Sequence, residues 1–151
     1  MEKTVSIYFI KNKYYLIPTA SLNGTFSVLI EPILVVSNED SLEKIGLILR
    51  ESIQNCRVED PSKLEGAFKQ FLQISKIRSH KQLIEEALYM RAEIKNDTIV
   101  TIRRIGANKK YKAYMVDLGI PPVHLDLNTP NEAIGLAIRQ LFSADGEKNN
   151  T

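Results

Sequence analysis

Glu31-Pro32-Ile33-Leu34-Val35-Val36, with the residues that follow it to Ile53, decides the fold, because the chain carries this pattern twice. Moving the sequence by 89 positions lays Pro121-Pro122-Val123-His124-Leu125 and the stretch to Phe142 over it without a gap. Pro32 falls on Pro121, Glu43 on Glu132, Ile45-Gly46-Leu47 on Ile134-Gly135-Leu136, and Arg50 on Arg139. In each copy a proline opens a short apolar run, a polar turn follows, and an amphipathic helix begins. The shared register of proline, cap, glycine and arginine reads as an internal duplication.

Working outward, the helix starts agree as well. Thr129-Pro130-Asn131-Glu132 has the form of a capping box with proline at the first helical position, and Asp40-Ser41-Leu42-Glu43 is its counterpart. Leu42, Ile45, Leu49, Ile53 and Cys56 follow helical spacing from about Ser41 to Cys56, and Ile134, Ala137, Ile138, Leu141 and Phe142 do so in the second copy. Gly46 and Gly135 lie inside these helices, where glycine costs roughly 0.5–1 kcal/mol relative to alanine. Its repetition at one place implies close packing, expected against a sheet.

Around the repeat the chain alternates between strand and helix patterns. Val5–Ile10 and Tyr14–Ile17 read as strands joined at Lys11-Asn12-Lys13, with Pro18 limiting the second. Asn23-Gly24 is a hairpin signal before a strand at Phe26–Ile30, and Ile33–Val36 is a short strand. Asp60-Pro61 opens a helix with Leu64, Ala67, Phe68, Phe71 and Leu72 on one face. Ser79 caps another with Leu83, Ile84 and Ala87. Leu88–Ile94, Thr98–Ile102 and Tyr111–Leu118 read as strands, with turns at Lys95-Asn96-Asp97 and Gly106-Ala107-Asn108. Residues 144–151 read as a polar, frayed tail. The expected fold is α+β: a twisted, mostly antiparallel sheet of two similar strand-helix halves, with the helices covering one side.

The 151 residues form one domain, 1–151, with 44% hydrophobic and 25% charged residues and a net charge of +2. Such a balance does not call for nucleic acid as a partner. Cys56 is the single cysteine, so neither a disulfide framework nor a thiolate metal cluster is expected, and its place on an apolar stripe makes it a structural thiol. The N-terminus passes straight into a strand pattern without a signal peptide, and no apolar run reaches the roughly 18 residues of a membrane span. A cytoplasmic protein is expected.

Catalytic chemistry finds no motif. His80 and His124 form no metal-spaced pair and no pattern ties either to a nucleophile. Gly24, Gly106 and Gly119 are isolated, so no phosphate loop is present, and the adjacent Glu85-Glu86 diverge on a helix. No catalytic residue, metal or cofactor is assigned. Two charge clusters remain. Glu39, Asp40, Glu43, Glu59, Asp60 and Glu65 surround the first helix; capping explains Asp40 and Asp60, and the others could steer a basic partner. Arg103, Arg104, Lys109, Lys110 and Lys112, with Tyr111 and Tyr114 between them, could hold phosphates and stack bases, or keep a hairpin edge soluble.

A strand-rich start leads into Ser37-Asn38-Glu39-Asp40-Ser41-Leu42-Glu43-Lys44-Ile45-Gly46. A helical middle and a second sheet follow, and Asn131-Glu132-Ala133-Ile134-Gly135-Leu136-Ala137-Ile138 repeats the motif. From about Ser6 to Phe142 the chain resembles the CdiI immunity proteins of bacterial contact-dependent growth inhibition. The resemblance implies a cytoplasmic binding protein and no enzyme. Its partner would be the C-terminal toxin domain of a cognate CdiA effector, bound one to one and blocked. Many such toxins are nucleases that attack RNA. No site residues transfer with the resemblance; the acidic cluster is the expected toxin contact, since a ribonuclease groove is basic. The alternative is a nucleic-acid-binding or regulatory domain using the hairpin 103–112.

Overall fold

The computed structural model describes residues 3–22, 26–60, 66–96 and 98–148. The duplication extends over two strand-helix halves that flank an unrepeated middle. The first half comprises β1 (Lys3–Ile10), β2 (Lys13–Leu22), β3 (Phe26–Leu29), β4 (Leu34–Ser37) and α1 (Leu42–Gln54). The second comprises β6 (Leu88–Lys95), β7 (Ile99–Asn108), β8 (Ala113–Val116), β9 (Val123–Asp126) and α4 (Asn131–Lys148). Strands at the same place have the same length in both halves: 8, 10, 4 and 4 residues. Between the halves lie β5 (Arg57–Val58), α2 (Phe68–Ser75) and α3 (His80–Glu86), which have no counterpart.

The halves join through β1 and β6. These strands pair antiparallel with Ser6 opposite Arg91, and the register reads the same from either strand about that pair. The sheet order is β3-β2-β1-β6-β7-β8, with β4 also on β2 and β9 also on β7. Its ladders are antiparallel except for the short β5, which runs parallel to β2. Each long strand has two outer neighbours in succession: β2 takes β4 along 13–16 and β3 along 19–22, and β7 takes β9 along 99–102 and β8 along 106–108.

That arrangement explains where the strands outrun the expected limits. Pro18 does not end β2, because it falls between the β4 and β3 pairings, where an amide donor is not needed. Its carbonyl accepts from Ile30 N at 2.9 Å. Lys13 lies in β2, and the turn is Lys11-Asn12, both with positive φ, as a two-residue hairpin requires. Gly106-Ala107-Asn108 is strand and not turn. A Cβ on Gly106 would lie 2.6 Å from Leu118 Cδ2, so the glycine admits that leucine over the strand. The strand expected at 111–118 is confined to Ala113–Val116.

Helices cover both faces of the sheet. On one, α1 and α4 pack over Val5, Ile7, Leu16, Met90, Ala92, Ile94, Val100 and Ile102. On the other, Phe71 of α2 and Leu83 of α3 join Ile77 over Tyr8, Ile10, Tyr15, Ile17 and Tyr89. Strand alternation presents an apolar row to each face, so a one-sided cover would leave Tyr8, Ile10, Tyr15 and Ile17 in water.

Gly46 and Gly135 serve helix–helix packing and not helix–sheet packing. A Cβ on Gly46 would sit 2.0 Å from the Asn131 carbonyl oxygen, and one on Gly135 would sit 2.0 Å from that of Leu42. Each glycine admits the first turn of the other helix. The arginines lock the same crossing. Arg50 donates from Nε to Asn131 Oδ1 at 2.5 Å, from Nη1 to Leu127 O at 2.5 Å, and from Nη2 to Thr129 O. Arg139 donates to Asn38 Oδ1 at 3.2 Å, Asn38 O at 2.6 Å and Asp40 O at 3.3 Å.

The helix starts are less alike than the sequence suggests. Ser41 caps α1 by accepting from Lys44 N at 3.1 Å, but α4 opens one residue later than expected, with Pro130 O as acceptor for Ile134 N. Ser79 caps α3 from Gln82 N as expected, at 3.1 Å. The Asn23-Gly24 signal and the Pro61 helix start lie outside the described residues, and α2 begins at Phe68. Helix α4 continues to Lys148, through part of the stretch expected to fray.

Candidate functional site

The acidic cluster is divided by α1. Glu39, Asp40 and Glu43 lie at its start and Glu59 and Asp60 beyond its end, separated by 13 helical residues, roughly 20 Å at 1.5 Å per residue. Asp40 accepts from Ser37 N at 2.9 Å and pairs with Lys44 at 3.4 Å. Glu59 pairs with Arg57 at 2.8 Å and accepts from Asp60 N at 3.3 Å. Glu39 and Glu43 are exposed. Glu65 lies outside the described residues.

The basic cluster is divided by the sheet. Arg104 is only 4% exposed, so it belongs to no phosphate-binding surface. Its Nε donates to Tyr89 O at 2.9 Å, and its guanidinium lies 4.9 Å from the Phe142 ring centroid, on the α4 side. Arg103 projects to the opposite face, as strand alternation dictates. Lys109, Lys110 and Lys112 are exposed on the β7–β8 turn, with Lys110 Nζ 5.5 Å from the Tyr111 ring centroid. Tyr114 faces inward: its hydroxyl lies 3.0 Å from Leu83 O and 2.8 Å from Ala87 O, anchoring β8 to α3.

The groups weighed for catalysis have structural surroundings. Burial pushes the Cys56 thiol up, away from thiolate character. His124 Nδ1 lies 3.0 Å from Thr101 Oγ1 across the β7–β9 ladder, and His80 stacks on Phe68 at 5.0 Å. Among the described residues no group of three or more His, Cys, Asp or Glu is placed to hold a metal ion. None of their helices is long and apolar enough to cross a membrane.

One feature outside both clusters needs the register to be seen. Arg91 of β6 and Arg103 of β7 are directly opposite one another. Like charges at such a position are destabilising. Arg91 has Glu93 at 3.9 Å and the Tyr89 hydroxyl as partners, whereas Arg103 has no side-chain hydrogen bond or ion pair with the described residues. Both line an open cleft of about 420 Å³ bordered by Ile105, Tyr114, Val116 and Asp117. In the first half the same two places hold Ser6 and Ile17, also opposite one another, and both are buried. The inserted helices cover Ile17 on this face and reach Tyr89 and Tyr114 of the second half, but leave Arg103 exposed.

Tyr8, Tyr89 and Tyr114 cluster beside this opening, with centroid separations of 4.9 Å, 5.8 Å and 4.9 Å. Burial raises the pKa of Tyr8 and of Tyr114 above the ordinary 10.0, and likewise those of Tyr14 and Tyr15. A folded-state pKa above the unfolded value adds stability that is complete below about pH 10 and is lost as pH rises toward the folded value. Alkaline titration is therefore expected to unfold the chain above about pH 10, with phenolate absorbance from these tyrosines rising together with the loss of near-ultraviolet dichroism.

No family model matches the sequence, and no curated protein matches it. Solved structures share the fold, two of which are the following. A protein of unknown function from Neisseria meningitidis superposes with a TM-score of 0.75 at 11% identity, covering 95% of both chains. A chain of the CdiA-CT/CdiI toxin and immunity complex from Yersinia pseudotuberculosis superposes with a TM-score of 0.73 at 10% identity, covering 95% of this chain and 97% of that one. At such identities the likeness is one of fold, and it extends over essentially the whole of each chain.

Proposed function

We propose that this chain is an immunity protein: it binds the C-terminal toxin domain of a cognate CdiA effector in the cytoplasm, one to one, and blocks the toxin's active site. The carrying observation is the fold shared end to end with a chain of a toxin and immunity complex, at a TM-score of 0.73. The surroundings of Cys56, His80 and His124 fit a binding role and not an enzymatic one. We take the toxin to be a ribonuclease, the class that the sequence resemblance implies.

Nucleic-acid binding by the hairpin is the weaker reading, because the sheet parts Arg103 from Arg104 and Arg104 is buried. Three lysines on one turn make a small footprint for a phosphate chain.

Co-expression with the polypeptide encoded immediately upstream tests the proposal. A stable one-to-one complex and a cell protected from that polypeptide's toxicity are expected. A chain that neither co-purifies nor protects overturns it.

A further inference from the structure

We infer that the opposed Arg91 and Arg103, on the part of the sheet beyond the cover of α2 and α3, receive a carboxylate-bearing segment of the partner protein. This deepens the immunity reading and rests on it, since the partner is taken to be the toxin domain.

Three observations converge on the pair. Arg91 and Arg103 occupy directly opposite positions on neighbouring strands, where like charges are destabilising, and only Arg91 has a carboxylate partner, Glu93 at 3.9 Å. Ser6 and Ile17 hold the same places in the first half, where both are buried and Ile17 packs with residues of the inserted helices. The fold therefore tolerates neutral side chains at these positions, and the arginines are not required to build it. Finally, Arg91 lines three grooves of this face, and the one it shares with Arg103 brings Tyr114, Ile105 and Val116 beside the pair.

The surroundings choose between anions. Glu93 and Asp117 border the pair, so a run of phosphates would meet two carboxylates at once. A single Asp or Glu side chain fits, seated in the fork of the guanidinium groups with apolar neighbours resting on Ile105 and Val116. Paired arginines beside an aromatic residue are the composition of an interface anchor. The expected contact at Glu39 and Glu43 is placed differently, since α1 packs on the other face of the sheet.

The test is a calorimetric titration with the C-terminal domain of the polypeptide encoded upstream. It uses the wild-type chain, Arg103→Gln and Glu43→Lys, with thermal melts of each. Arg103→Gln is expected to bind about a hundredfold more weakly and to melt at or above the wild-type temperature, because the like-charge opposition is gone. Glu43→Lys is expected to bind as wild type. Affinity of Arg103→Gln within about threefold of wild type overturns the inference and leaves the immunity reading standing. So does a melting temperature that falls along with the affinity, which would make the pair structural. A wild-type chain that holds single-stranded RNA and releases it on Arg103→Gln gives the pair to phosphate and also overturns it. Wild type without affinity for the toxin domain overturns the immunity reading itself, and this inference with it.

Discussion

Arg50→Met is expected to lower the unfolding free energy by about 2–4 kcal/mol, and Arg139→Met by a comparable amount. Each guanidinium ties the helix of its own half to the strand-to-helix turn of the other, through bonds to backbone carbonyls that methionine cannot replace. Leu127 O and Thr129 O would be left to a half-buried site with no donor. Lysine is expected to recover little at position 50, because one ammonium group cannot span three acceptors laid out for a planar fork. The two arginines lock one helix crossing, so the double variant should lose less than the sum of the single losses. Urea unfolding of the three variants checks both statements.

Gly46→Ala and Gly135→Ala are each expected to cost about 2–3 kcal/mol, a fall in melting temperature of roughly 5–10 °C for a domain of this size. The added methyl meets backbone oxygen at 2.0 Å in both cases, and backbone cannot rotate away as a side chain can. The helices must separate, loosening Ile45, Leu49, Ile134 and Ile138 beneath them. The glycines line the same crossing, so their double variant should likewise lose less than the sum of the two. Thermal melts of the four chains give the comparison.

These residues stood out in the sequence because they repeat, and the repeat led correctly to two similar halves, an α+β class and helices packed on a sheet. What the glycines touch was not legible. A helical glycine signals close approach without naming the neighbour, and only the crossing of α1 and α4 shows that each admits the other. The rest of the duplication was hidden because the strands have diverged: Ser6 answers Arg91, and Ile17 answers Arg103. The turns also differ in length, which removes the constant offset that exposed the second parts of the halves.

Helix placement was limited in a similar way. The apolar faces of α2 and α3 were readable from Phe71 and Leu83, but periodicity does not say which side of the sheet they cover. The ends of β2 and β7 were misplaced because Pro18 and Gly106 are usual breakers. Here Pro18 sits where β2 changes partners, and Gly106 lies under Leu118. Charge clusters were the least legible feature. Residues near in sequence, Arg103 and Arg104, fall on opposite faces, while Arg91 and Arg103, twelve positions apart, are direct neighbours. Only the strand register brings the second pair together.

Neutralisation of a toxin is tested most directly by titrating this chain into the C-terminal domain of the upstream polypeptide while following that domain's activity on cellular RNA. Activity that falls in a straight line to nothing at one molar equivalent is the expected result. Activity that persists at about a tenfold excess, above any plausible dissociation constant for a tight interface, would contradict it.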